Sequence, residues 1–233
     1  RMQDEKCSFN PSATDAVIPT LAHLNHSGML PRLYHEGFRG RILSTGATRE
    51  LLDVMLHDSV GLYLRDLERA NLRRARRGKE TLDPVYTMKD VEGALGLCAG
   101  FSYGESVDVG EGGVLRFHDA GHILGSSIIE LVFNEEAKSK TLVFSGDLGK
   151  GDSVLMNEPS RLQHADVVLL ESTYGDREHR GEQDSQTQLR DVLKETWRRG
   201  GSVMIPAFAV GRTQDILFHL GCLHHQGELD NWE

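Results

Sequence analysis

The chain has only three cysteines, Cys7, Cys98 and Cys222, widely spaced and never arranged as C-x-x-C. That excludes a disulfide framework and a thiolate zinc knuckle, and it fits a reducing compartment, the cytoplasm. No apolar run approaches the ~18 residues of a membrane span, and the opening Arg1-Met2-Gln3-Asp4-Glu5-Lys6 lacks the apolar stretch of a signal peptide. No membrane partner is expected. Positive charge is also short: 26 Lys and Arg stand against 35 Asp and Glu, a formal net charge of −9. Whole-surface attraction to nucleic acid or anionic lipid is thereby excluded, although a local basic groove is not. Internal repeats and low-complexity tracts are missing. The rest, 39% hydrophobic and 26% charged over 233 residues, suits one or two folded domains with a sizeable core.

Short β-prone runs recur at 15–18, 41–44, 113–117, 127–133, 141–144, 167–170 and 202–205. Most are so apolar that they read as central strands of a covered sheet. Helical patterns lie between them. Thr48 is expected to cap a helix whose stripe runs through Leu51, Leu52, Met55, Leu56, Val60, Leu64 and Leu67. Thr87-Met88-Lys89-Asp90 resembles a capping box, with Asp in place of Glu, opening a short helix over Val91 and Leu95. Leu189, Val192, Leu193, Thr196 and Trp197 share a face before Gly200-Gly201 ends their helix, and a last helix covers 213–224. Strands and helices mixed on this scale make an α/β protein. The one basic block, Arg73-Arg74-Ala75-Arg76-Arg77-Gly78-Lys79, reads as a solvated helix end whose cations complement the helix dipole, or as a phosphate contact.

Eleven histidines are the unusual feature, and two groups of them sit beside Gly, Ser and Asp rather than on apolar helix faces. Three segments share one layout, a β-run followed at once by polar, potentially metal-binding side chains in a loop containing glycine. They are Thr20 to Gly28 with His23, Asn25 and His26; Phe117 to Ser126 with His118, Asp119 and His122; and Phe144 to Gly149 with Asp147. Singly, each histidine reads as a hydrogen-bonded core or helix-entry residue, and Asp147 as a turn former. Together they point to a metal, because borderline-soft zinc is held by neutral imidazoles plus carboxylate.

With these loops, Leu170-Glu171-Ser172-Thr173-Tyr174-Gly175-Asp176-Arg177-Glu178-His179 and the run from Gly200 through Pro206-Ala207-Phe208-Ala209-Val210-Gly211-Arg212-Thr213-Gln214 resemble segments of the metallo-β-lactamase superfamily. The resemblance is to its β-CASP branch of RNA- and DNA-processing nucleases, and it runs roughly from Pro11 to Leu220. It implies a four-layer αβ/βα sandwich over residues 1–178, lacking its first strands, and the beginning of a β-CASP domain over 179–233. It further implies two zinc ions and hydrolysis of phosphodiesters. By position, His23 and His122 match ligands of one ion, His26 a ligand of the other, and Asp147 the carboxylate that bridges both. Glu171 matches an acidic residue that orients a ligand histidine or assists proton transfer. Tyr174, Arg177 and Arg212 read either as groove residues, because aromatic stacking and guanidinium forks suit nucleotides, or equally as structural ones.

The first loop departs from the family's His-x-His-x-Asp-His. Leu21 has no donor atom, and Asn25 offers only an uncharged amide oxygen that cannot act as a base. Two downstream histidines of the family have no counterpart, since His224 and His225 sit too early, on the expected last helix, and read as surface residues. A piece with missing edge strands should be marginally stable alone. Three functions follow from the resemblance: a zinc-dependent ribonuclease, acting on RNA or single-stranded DNA, as a homodimer or within an RNA-processing complex; a catalytically silent RNA-binding scaffold in such a complex; or, more remotely, a hydrolase of small thioesters or lactams. Changing Leu21→His together with Asn25→Asp is expected to raise zinc affinity in a competitive chelator titration. No gain would mean that the first loop is misaligned with the family pattern.

Overall fold

The computed structural model describes residues 7–135, 138–151, 153–176 and 181–229. In chain order the strands are β1 (Ala16–Val17), β2 (Arg41–Thr45), β3 (Cys98–Phe101), β4 (Val107–Gly110), β5 (Gly113–Asp119), β6 (Ser127–Glu135), β7 (Lys138–Phe144) and β8 (Val167–Leu169). The helices are α1 (Leu24–Ser27), α2 (Leu30–His35), α3 (Gly46–Ala75), α4 (Met88–Leu95), α5 (Glu182–Arg198) and α6 (Arg212–His225). Strands β1, β2 and β3 form a parallel three-stranded sheet. Strands β4 to β7 pair antiparallel in sequence order, and β8 adds parallel to β7.

The period-2 alternation of β2 builds two cores at once. Ile42 points to the helices, where it packs with Leu52, Leu56 and Val60 of α3, Val91 and Ala94 of α4, and Leu30 and Leu33 of α2. Leu43 points the other way and meets Val107, Leu115, Phe117 and Ile129 of the second sheet. Helix, sheet and sheet thus stack as three layers of the expected α/β sandwich. The outer face of the second sheet carries Ile128 and Val143, against which Leu148, Leu162 and Ala165 of the β7–β8 connection pack. Leu193 of α5 and Leu223 of α6 form a smaller cluster with Leu229, just beyond α6.

Local chemistry explains several boundaries. In α4, the Thr87 N–H and hydroxyl both donate to Asp90 Oδ2 at 2.8 Å, so Asp closes the capping arrangement as Glu would. Helix α3 starts earlier than the pattern indicates. Its cap is Thr45, whose hydroxyl oxygen accepts from the Thr48 N–H, while Thr48 itself is buried inside the first turn. The signal was misplaced because both threonines suit a cap, both are buried and both donate their hydroxyls to the Gly125 carbonyl, so residue type alone does not separate them. The buried Arg32 is matched by Glu36 at 2.8 Å within the same helical turn.

Two strand expectations are corrected. Residues 202–205 are not a strand, and Met204 is 93% exposed, since β-propensity without a neighbouring strand to complete its hydrogen bonds does not make a sheet. The β8 run is a strand but not a covered one: Val168 is 55% exposed, at the sheet edge, with no described element packed over it. Strands β3 and β4, short and glycine-containing, and helices α1 and α2 carry patterns too brief to be read from the sequence.

Phe117, fully buried between the two sheets, should lose about 3–5 kcal/mol when changed to Ala, by lost transfer energy plus a cavity. Chemical denaturation should show this as a lower midpoint at unchanged slope, with Met204→Ala within about 0.5 kcal/mol of the parent.

Candidate metal centre

Three loops leave the sheet ends and are fastened to one another by backbone groups. The carbonyl of Thr20 accepts two hydrogen bonds from Ser127, from its N–H at 2.8 Å and its hydroxyl at 3.0 Å, so the first loop is tied to the start of β6. The second loop, between β5 and β6, is pinned by Ser126, whose hydroxyl oxygen accepts the N–H groups of His122 and Ile123. Its Gly125 carbonyl takes the hydroxyls of both Thr45 and Thr48 at 2.7 and 2.8 Å, which anchors the loop on the first turn of α3. Gly125 has φ +78°, and a Cβ there would lie 2.5 Å from the Thr48 nitrogen, so glycine is required. The third loop joins the second where the Gly149 N–H donates to the Ala120 carbonyl at 2.8 Å. A Cβ on Gly149 would sit 1.7 Å from the Gly121 carbonyl oxygen, so no other residue permits that approach.

This fastening brings His23, His26, His122 and Asp147 together. One possible ligand atom from each of His23, His122 and Asp147 lies within 4.8 Å of the other two. His122 Nε2 is 3.7 Å from one Asp147 oxygen, and His26 Nε2 is 3.2 Å from the other. The rings of His23 and His122 meet edge to face with centroids 5.6 Å apart. Donors of one tetrahedral zinc, each at ~2.0–2.2 Å from the ion, lie roughly 3.3–3.6 Å from one another, so His23, His122 and Asp147 fit a metal with small adjustments, while His26 faces the other oxygen of the same carboxylate. The ring of His26 is set from behind, its Nδ1 lying 3.2 Å from the Thr20 hydroxyl, so that Nε2 faces the carboxylate. Burial pushes the His122 imidazole below its ordinary pKa, against the opposing pull of the Asp147 charge. A neutral imidazole is the form that ligates.

Glu171 stands directly behind the third loop. Its Oε1 accepts the Leu148 N–H at 2.8 Å, one residue from Asp147, and its other oxygen accepts from the Thr173 N–H. Partial burial raises its pKa, but the Leu148 and Thr173 hydrogen bonds and the nearby His122 outweigh this and hold it below the ordinary carboxylate range. The Glu171 N–H in turn donates to the Ser145 hydroxyl, and the Ser145 N–H to the Leu169 carbonyl, so β8 and the third loop are laced together.

The two departures from the family pattern are placed as well. Leu21 is fully buried, whereas Asn25 is exposed in the first turn of α1. Tyr174 is exposed, Arg212 lies 3.9 Å from Asp215 of its own helix, and Arg177 falls outside the described residues. His224 and His225 are exposed at the end of α6, as expected of surface residues. Sequence reasoning missed the serines and threonines that hold the loops, and it missed a contact across 187 positions: His23 Nε2 is 3.3 Å from the Val210 carbonyl. The Phe208 ring stands 5.8 Å from that of His23. Nothing in a single sequence signals a backbone carbonyl as a partner; the only available clue was the Pro206 to Gln214 motif itself.

No family model matches the chain. Among curated proteins it is 38% identical over 212 residues to ribonuclease TTHA0252 of Thermus thermophilus, covering 91% of this chain and 44% of that protein. It is 33% identical over 215 residues to the transcription termination factor FttA of Methanothermobacter thermautotrophicus, covering 91% of this chain and 31% of that protein. The chain therefore spans less than half the length of these relatives. A solved subclass B3 metallo-β-lactamase, BJP-1 of Bradyrhizobium japonicum, aligns with a TM-score of 0.37 at 16% identity, over 65% of this chain and 48% of that one. The chain is thus similar in sequence to a protein named a ribonuclease and to one named a transcription termination factor, which agrees with the resemblance of its three loops to the metallo-β-lactamase superfamily. The segments around Tyr174 and Phe208 resemble those of its β-CASP branch.

Because Glu171 holds the loop beside Asp147 through the Leu148 N–H and stands near His122, Glu171→Ala should weaken metal binding about 10- to 100-fold without unfolding the chain. Isothermal titration with zinc, beside circular dichroism, would show it; unchanged affinity would remove Glu171 from the site.

Proposed function

We propose that the chain forms the metal-holding part of a zinc-dependent phosphodiesterase that acts on RNA. The observation that carries this reading is the meeting of His23, His122 and Asp147 donor atoms within 4.8 Å, with His26 on the same carboxylate. The relative named a ribonuclease supports RNA as the substrate class, and a donor set of imidazole and carboxylate with no thiolate supports zinc. His23, His122 and Asp147 would hold one ion. His26 and the shared Asp147 would contribute to a second, weaker site, with Asn25 adding at most a neutral oxygen. When bound, the metal depresses the pKa of water and offsets charge developing on phosphoryl oxygens.

The chain's own groups do the positioning. Neutral His122 keeps a lone pair for ligation, Thr20 fixes the face that His26 presents, and Glu171 keeps the Asp147 turn in place through the Leu148 N–H. Residues 1–178 serve as the metallo-β-lactamase core and 179–233 as the opening of the β-CASP domain, working on RNA in the cytoplasm alone, as a homodimer or within a larger RNA-processing assembly. No helix of the described residues is long and apolar enough to cross a membrane.

One observation favours a second reading, that of a silent RNA-binding scaffold. The position of the family's first histidine is Leu21, fully buried, and the position of its acidic base is the uncharged, exposed Asn25. The two readings separate on metal and turnover. For the enzyme, the protein in its full natural length should keep zinc through dialysis and cleave single-stranded RNA, with Asp147→Ala lowering the rate at least about 10³-fold. Neither retained zinc nor Asp147-dependent cleavage leaves the scaffold.

A further inference from the structure

We infer that the distal half of α3 is a second RNA-binding surface, one that grips the phosphate backbone of a strand at a distance from the metal centre. Residues 65–79 carry seven of the chain's 26 Lys and Arg and only two of its 35 Asp and Glu, in a molecule whose net charge is −9. Arg65, Arg69 and Arg73 follow one another at intervals of four on the exposed side of the helix, and Arg76, Arg77 and Lys79 continue from its end, all exposed.

The bland explanation, cations complementing the negative end of the helix dipole, does not account for this. That dipole is equivalent to about half a charge and acts only over the last turn, yet Arg65 and Arg69 lie well before it. Like charges four apart on a helix also repel, and here they are kept. Internal ion pairs do not explain them either. Among the described residues only Arg69 of the seven has a carboxylate nearby, Asp66 at 3.6 Å, in an exposed pair of little worth. Instead, Arg65, Arg73 and Arg74 use Nε to donate to the backbone carbonyls of Gly61, Arg69 and Glu80. Those bonds occupy Nε and leave the outer guanidinium nitrogens without a carboxylate partner among the described residues, donors suited to phosphates.

The position adds the functional sense. The first turn of α3 holds the loop of His122 through Gly125, and Arg73 lies 25 residues further along a rigid helix, about 38 Å away at ~1.5 Å per residue. A strand of more than roughly ten nucleotides, stacked at ~3.4 Å each, would reach both ends, whereas a very short one could not bridge them. This inference rests on the RNA half of the proposed function and not on cleavage.

The test is a binding measurement on the Asp147→Ala protein without added metal, using fluorescein-labelled single-stranded RNA of about five and about thirty nucleotides. Arg73→Gln, Arg74→Gln, Arg76→Gln and Arg77→Gln together change only helix-compatible surface positions. They should lower affinity for the long RNA roughly ten- to a hundredfold near 0.1 M salt and reduce the slope of log affinity against log salt by about 3. The short RNA, which presents few phosphates and finds no metal in the cleft, should bind weakly to both proteins. Conversely, Asp66→Asn with Glu68→Gln should tighten long-RNA binding. An unchanged slope and affinity for the long RNA, no RNA binding by the parent, or a preference for phosphatidylserine vesicles over RNA would overturn the inference. Cleavage is read separately on the protein with Asp147 intact: failure to cut RNA while the salt slope still depends on these arginines would remove the nuclease and leave the surface.

Discussion

The Thr20 carbonyl oxygen, held by both donors of Ser127, is the constraint on which the centre depends. It lies three residues before His23, and Ser127 is the first residue of β6, so one acceptor fixes the height of the first loop against the second sheet. Ser127 is almost fully buried, and its two donors would be costly to leave unmatched, about 1–3 kcal/mol each. The same carbonyl-to-hydroxyl device recurs at Gly125 with Thr45 and Thr48. Such bonds between small side chains and backbone are short and have few rotamers, so they set loop positions more tightly than a contact between long side chains would.

The electrostatics follow from that geometry. Three imidazoles are brought around one carboxylate, and burial keeps His122 toward its neutral form, so the cluster has acceptor lone pairs and a negative charge but little positive charge of its own. In a molecule of net charge −9 such a cleft repels phosphate. A divalent ion reverses the local sign, which ties any attraction of a nucleic acid to this cleft to prior metal loading. Glu171 completes the logic by acting on the loop through a backbone N–H, shaping the site without competing for the metal.

The sequence was most legible where one residue determines its own surroundings. The strands from Arg41, Gly113, Ser127 and Thr141 are close to those observed, because alternation and apolar runs are local properties that tertiary packing reinforces. The Thr87–Asp90 cap is equally local. The convergence of His23, His26, His122 and Asp147 was legible only because several loops carried the same chemistry after a strand. The unreadable parts depend on partners distant in the chain. Val168 and Met204 have the composition of core strands, yet the first lies at an uncovered edge and the second pairs with nothing described. Thr45 and Thr48 cannot be ranked as caps from residue type, since both donate to Gly125 and only the backbone geometry shows that Thr45 accepts the Thr48 N–H. The Val210 carbonyl beside His23 has no side-chain signature at all.

The central claim is that the early imidazole of His23, that of His122 from the middle of the chain and the Asp147 carboxylate share a metal. X-ray absorption at the zinc edge on the zinc-loaded, dialysed protein addresses that claim most directly. The expected result is a shell of nitrogen and oxygen neighbours at ~2.0–2.2 Å with the multiple scattering of imidazole and no sulfur near 2.3 Å, reduced in imidazole signal by His122→Ala. Zinc bound through Cys7, Cys98 or Cys222, or an imidazole signal indifferent to His122, would contradict it.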